Sequence, residues 1–181
     1  MAELERRLKR LMPLGGTSPI VRLRPGELFF DPAPHRLATL LGSCVAVCLW
    51  DERRRMGGMT HSLVPSGSAG DANATDASIR ELAERMRQAG CRPATMQAKL
   101  FGGFAPLKGL GVEQGIGAAN IERAVAILDE LGILIVAQEI LGDGGIAIYQ
   151  DTQTGEVSGR MISPLRPDAD RLRKCFNTPR G

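Results

Sequence analysis

Only two stretches of this chain space their apolar residues as an amphipathic helix does, whereas at least six short runs read as strands, and the two kinds do not alternate strictly. A strict alternation would demand a doubly wound parallel sheet. Its absence points instead to an α/β sandwich, with helices packed on mixed or antiparallel sheets. One helical stretch carries Ile79, Leu82, Ala83 and Met86, with Thr75 or Asp76 as its cap and Gly90 as its stop. The other carries Ile121, Ala124, Val125, Leu128 and Leu131, capped by Asn120 and ended by Gly132. Strands are expected at 20–23, 28–30, 45–50, 56–63, 96–101 and 133–137. Residues 146–149 and 157–162 read as a hairpin, with Thr154-Gly155 near its turn. Residues 65–73, rich in Gly, Ser and Ala, form the best candidate for a mobile loop.

These elements fill one domain of about 150 residues, expected over 18–165, between an N-terminal extension (1–17) and a loose C-terminal tail (166–181). Aromatic residues make up only 4% of the chain, so the core must rest on Leu, Ile, Val, Ala and Met. A net charge of +3 is too small to indicate nucleic-acid binding, which calls for a clustered basic face. Arg53-Arg54-Arg55 reads as a solvated turn. Arg6-Arg7 and Lys9-Arg10, interleaved with Leu4, Leu8 and Leu11, suggest a weak amphipathic helix that could touch a partner or a membrane surface; a frayed extension is the plainer reading. No stretch approaches the roughly 20 apolar residues of a membrane span. No apolar segment follows the basic start as in an export signal. The four cysteines, Cys44, Cys48, Cys91 and Cys175, therefore read as reduced thiols in a cytoplasmic protein.

The run Val45–Trp50, the polar break after it and the return through Met56–Leu63 form a hairpin with chemistry on it. If Asp51–Arg54 make a four-residue loop, Trp50 faces Arg55 and Cys44 falls opposite His61. Opposed residues on antiparallel strands hold their Cβ atoms about 4.5–5.5 Å apart on one face. A thiol and an imidazole so placed can share a proton, giving an attacking thiolate stabilised by an imidazolium. Gly42 permits a sharp approach to the strand, and backbone N–H groups freed around Gly42 and Ser43 can serve as an oxyanion hole for an amide substrate. Proton return from His61 would then release ammonia. The bland reading makes Cys44 a small core residue and His61 a satisfied structural one. A zinc site of Cys44, Cys48 and His61 is the sharper rival, but on one strand the two thiols lie about 13 Å apart at roughly 3.3 Å per residue, too far for one ion. No metal and no cofactor is expected. Cys48 is core by preference, and Cys91 and Cys175 have no visible histidine partner.

The blocks Thr39-Leu40-Leu41-Gly42-Ser43-Cys44-Val45-Ala46-Val47-Cys48-Leu49, Gly57-Gly58-Met59-Thr60-His61 and Leu63-Val64-Pro65 closely resemble the CheD family, the chemoreceptor glutamine deamidases of bacterial and archaeal chemotaxis. Pro25-Gly26-Glu27, Lys99-Leu100-Phe101-Gly102-Gly103, Ile116-Gly117 with Asn120, and Thr152 with Thr154-Gly155 extend the likeness over about 18–162. The resemblance implies an α/β sandwich similar to bacterial toxins that deamidate glutamine on GTPases. It implies Cys44 as nucleophile, His61 as general base and Thr39 as the residue orienting the histidine. It also implies receptor cytoplasmic helices as substrate and the CheC phosphatase as a further partner. Ala119 stands where the family often has arginine, residues 142–147 lack basic side chains common there, and residues 68–75 lack an expected tyrosine. These departures bear on recognition rather than chemistry, and they leave two alternatives beside the deamidase: a CheD-like module that docks with little turnover, and a transglutaminase sharing the acyl-enzyme.

Overall fold

A computed structural model describes residues 18–104, 113–142, 144–162 and 174–176. The ten strands among them form two five-stranded sheets. The outer sheet has the order β1 (Ile20–Arg22), β3 (Arg36–Leu41), β8 (Gly145–Asp151), β9 (Val157–Ile162), β10 (Lys174–Phe176). The central sheet has the order β2 (Glu27–Phe30), β5 (Met56–His61), β4 (Val45–Asp51), β6 (Met96–Gly102), β7 (Leu134–Ile140). Two helices, α1 (Thr75–Gln88) and α2 (Glu113–Glu130), cover the far face of the central sheet. The pairing is antiparallel except at β1–β3 and β6–β7. The result is the expected α/β sandwich with mixed sheets.

The layering explains why β4 reads as an unbroken apolar run. Its odd residues Val45, Val47 and Leu49 pack with Ile79, Leu82 and Met86 of α1 and with Ala124, Ile127 and Leu128 of α2. Its even residues Ala46 and Cys48 pack with Met59 and Phe101 against Leu37, Leu41, Ile146 and Ile148 of the outer sheet. A strand buried on both faces has no solvent side on which to alternate.

Several expectations change. The hairpin loop is 52–55, because Asp51 pairs with Met56 and Trp50 with Gly57; the same register sets Val45 opposite Ser62. Cys44 is thus two residues out of step with a direct pairing to His61. The Asp51 carboxylate draws the strand one residue further, accepting from the Arg54 N–H (2.9 Å) and the Thr95 hydroxyl (2.6 Å). An even slip keeps both residues on the same face. β3 was not expected at all. α2 begins at Glu113, so Asn120 lies inside it rather than at its cap. Gly117 is where α2 meets the Gly103 backbone, and a β-carbon there would come within 3.0 Å of the Gly103 carbonyl carbon. α1 is preceded by Ala74, with neither Thr75 nor Asp76 acting as the capping side chain.

The loop 65–73 is tied down rather than free. Asn73 O accepts from the N–H groups of Leu63 (2.7 Å) and Val64 (3.1 Å), and Asp76 accepts from Gly67 N–H (3.1 Å). Within the expected tail, Lys174–Phe176 pair with β9 and so belong to the outer sheet. The remainder of that tail, and the basic segment around Arg6-Arg7 and Lys9-Arg10, lie outside the described residues. Cys44, Cys48 and Cys91 are free thiols.

Candidate active site

β3 of the outer sheet passes through the turn Gly42–Cys44 into β4 of the central sheet, so the two sheets meet where the chain crosses. Thr39 looks inward from β3, Cys44 closes the turn, and His61 ends β5. Thr39 and His61 are 3% and 2% exposed, while Cys44 is only half-buried, at the mouth of the same layer. Thr39 and His61 are therefore in hydrogen-bond contact, and Cys44 packs on the same inter-sheet layer, with Gly42 and Ser43 in the turn before the thiol.

Hydrogen bonding fixes which imidazole nitrogen is available. Thr39 Oγ1 donates its single proton to the Leu23 carbonyl (2.9 Å). It can then only accept from His61 Nδ1–H, at 2.7 Å. The neutral ring is held in the tautomer whose Nε2 carries a lone pair, and Nε2 is buried with no hydrogen-bond partner among the described residues. An orphaned buried acceptor is costly unless it has work to do.

The turn is pinned by its carbonyls. Phe104 N–H donates to Gly42 O (2.8 Å) and Gly103 N–H to Cys44 O (3.0 Å). Val45 and Ser62 exchange both backbone bonds, at 3.0 and 2.8 Å. Gly102, at φ +111°, lies against the Cys44 carbonyl so closely that no side chain fits. Among the described residues no backbone carbonyl accepts from Ser43 N–H or Cys44 N–H.

Beyond His61 the strand is anchored to the helices. Ser62 Oγ meets Ser78 Oγ of α1 at 2.8 Å. Asn120 of α2 donates to the Leu63 carbonyl (3.0 Å) and accepts from the Thr75 hydroxyl (3.2 Å). The Leu23 carbonyl, Gly102, Gly103 and Asn120 were not singled out as site residues from sequence. The Lys99–Gly103 block and Asn120 carried a signal only through the resemblance; the Leu23 carbonyl, a backbone group, carried none.

Burial sets the protonation states. It pushes the His61 ring down to about 4 from its ordinary 6.5, opposed in part by the Leu23 carbonyl and the charge of Glu27. It pushes the Cys44 thiol up, opposed by the cysteine's own N–H. Thiol and imidazole are thus each uncharged at rest, not the thiolate and imidazolium expected from the sequence, because charge is disfavoured in a site withdrawn from water. An uncharged thiol can serve as a nucleophile where a general base takes its proton as sulfur attacks. Cys48, fully buried, is pushed up to about 12 and takes no part.

Comparison with known proteins bears on the family to which the chain belongs. The family model described as "CheD chemotactic sensory transduction" matches residues 65–161. A probable chemoreceptor glutamine deamidase CheD from Rhodospirillum rubrum is 37% identical over 159 residues, covering 86% of this chain and 90% of its own length. An overlap of that extent spans both Cys44 and His61. Proteins with the same description from Geobacter sulfurreducens (34% identity; 83% of this chain, 95% of theirs) and Trichlorobacter lovleyi (38%; 75% and 86%) align similarly. A crystal structure of the Bacillus licheniformis hypothetical protein YfiH overlaps 65% of this chain and 49% of that one at 17% identity, with a TM-score of 0.39, too loose a likeness to bear on fold or function. A family model matching more than half of the chain, and relatives matching it along most of their length, place this protein in the CheD family.

Proposed function

We propose that this protein is a cysteine amide hydrolase that converts glutamine side chains on chemoreceptor cytoplasmic helices to glutamate, releasing ammonia. The observation that carries the reading is the buried, unpartnered Nε2 of His61, held in the base tautomer by Thr39, on the same face as a half-exposed thiol. The relatives' own descriptions name the substrate class.

In this reading His61 Nε2 takes the Cys44 proton while sulfur attacks the glutamine amide carbon. Charge develops on the amide oxygen, where the N–H groups of Ser43 and Cys44, at the turn Gly42 permits, can receive it. The imidazolium gives its proton to the amide nitrogen, the C–N bond breaks and ammonia leaves a thioester. Nε2, again neutral, deprotonates water, which attacks the thioester to yield glutamate and the free thiol. One water is consumed and one ammonia released. No helix among the described residues is long and apolar enough to cross a membrane. A protein acting on receptor cytoplasmic helices would work in the cytoplasm through its 18–165 domain, with a CheC-type phosphatase as a further partner.

The test is ammonia release on incubation with a receptor cytoplasmic fragment, beside Cys44→Ala, with mass spectrometry locating each gain of roughly 1 Da that marks glutamine turned to glutamate. Release that depends on Cys44 supports the reading. Tight binding without release would favour a docking module, and incorporation of added amine a transglutaminase.

A further inference from the structure

His61 faces an electrostatic difficulty that the Cys44–His61–Thr39 arrangement does not resolve. Once sulfur has attacked, the negative charge that left the thiol sits on the substrate oxygen, and a buried imidazolium remains beside Thr39 and the Leu23 carbonyl, both uncharged. Burying an uncompensated cation is expensive. We propose that Glu27 is a positioning residue for catalysis: a carboxylate fixed opposite His61 that supplies the negative field holding the imidazolium.

The geometry comes from the turn between β1 and β2. Glu27 pairs directly with His61 across β2 and β5, and Gly26 N–H donates to the His61 carbonyl at 2.8 Å. Residues so opposed share a face. The face is the inter-sheet one, since Phe29, two residues on, packs in that layer beside Met59. The carboxylate itself is held: Glu27 Oε2 accepts from Arg24 N–H (2.8 Å), while Glu27 N–H closes the turn on Arg24 O (3.1 Å). β6 places Lys99 in the same inter-sheet layer, opposite Cys48, with its Nζ donating to the Gly155 carbonyl (2.8 Å). β3 gives Thr39 and the residue after β1 gives the Leu23 carbonyl, while Arg24 is exposed at the turn. Glu27 is a negatively charged side chain on that face, and its charge raises the ring's proton affinity against the effect of burial. Glu27 is exposed, so its influence is tempered by screening.

This inference rests on the deamidase reading for its catalytic meaning, but its test does not need turnover. His61 is titrated by NMR in the free protein, and ammonia release is followed against pH, for wild type, Glu27→Gln, Glu27→Lys and Glu27→Asp. Glutamine keeps a side-chain oxygen for Arg24 N–H, so the turn persists while the charge is lost. In Glu27→Gln the His61 titration should fall by roughly half to one pH unit, the size expected of a partly screened charge on a directly paired residue. The acid limb of the rate profile should move down with it, and the plateau should drop about 2–3-fold because Nε2 is a weaker base. Glu27→Lys should move both further in the same direction, and Glu27→Asp should leave them near wild type. His61 titration unchanged in Gln and Lys overturns the proposal. If Gln does not fold, the Lys and Asp pair makes the same comparison. A protein that shows the titration shift but never releases ammonia refutes the deamidase reading and leaves the electrostatic one standing.

Discussion

Adding one methyl group at Gly102 should disable the site from behind. Gly102 ends β6 at φ +111°, and an added β-carbon would fall inside 3.0 Å of the Cys44 carbonyl oxygen and 3.1 Å from Val45 Cα. Relaxed contacts need about 3.5–4.0 Å, so the Cys44 backbone must retreat by about 1 Å. The left-handed backbone costs about 1–2 kcal/mol for a residue with a side chain, and overpacking about 1–3 more. Gly102→Ala should therefore lose about 2–5 kcal/mol of stability in urea unfolding. It should also lose about 100-fold in ammonia release per folded molecule, the effect of misplacing a reacting group by that distance. Gly132→Ala is the control. Gly132 also has positive φ, +67°, but a β-carbon there meets nothing within 4 Å. It should cost only the left-handed backbone term, about 1–2 kcal/mol, and leave the rate unchanged. A Gly102→Ala protein that deamidates like wild type, or a Gly132→Ala protein equally inactive, would refute the claim that β6 holds the nucleophile in place.

Three further outcomes are expected. Thr39→Val should cut the deamidation rate by about 10–100-fold, since the His61 tautomer is no longer fixed, and should cost about 2–4 kcal/mol for two buried groups left unpartnered; Thr39→Ser should recover most of both. Iodoacetamide at neutral pH should label Cys44 ahead of Cys48, with the Cys44 rate still rising as pH increases because burial holds its thiol up; a pH-independent rate between 6 and 8, as of a preformed thiolate, would contradict the neutral pair. Because the folded His61 titrates at about 4 and the unfolded one near 6.5, the unfolded chain binds more protons between those values. Thermal stability should therefore fall as pH drops through that window, and His61→Gln should flatten this slope; a wild-type midpoint constant across the window would argue against a buried neutral ring.

The sandwich was legible because β4 and the α1 stripe each carry an unmistakable apolar pattern, and Cys44 and His61 lie on one hairpin. What failed in sequence depends on contacts between distant residues. The register slipped by two because Asp51 finds Thr95 and the Arg92 N–H (3.3 Å) far along the chain, which extends the ladder by a pair. β3 was missed although Thr39 was found through resemblance alone; its inward residues Leu37, Thr39 and Leu41 show their alternation only once the outer sheet exists. The start of α2 was hidden by Gly115 and Gly117, poor helix formers, of which Gly117 is needed for close approach to Gly103. The anticipated ion pair failed for another reason, since the spacing of two residues says nothing about how far water is kept from them.

The relay from His61 through Thr39 stops at the Leu23 carbonyl, a group with no proton to give and none to pass on. The imidazole therefore trades protons through one nitrogen only. Whatever Nε2 collects from the thiol must depart by the same atom, with no route for resupply from behind. In the proposed chemistry this enforces a sequence of events: incoming water cannot be activated until ammonia has carried the first proton away, so the two halves of the reaction alternate and cannot overlap.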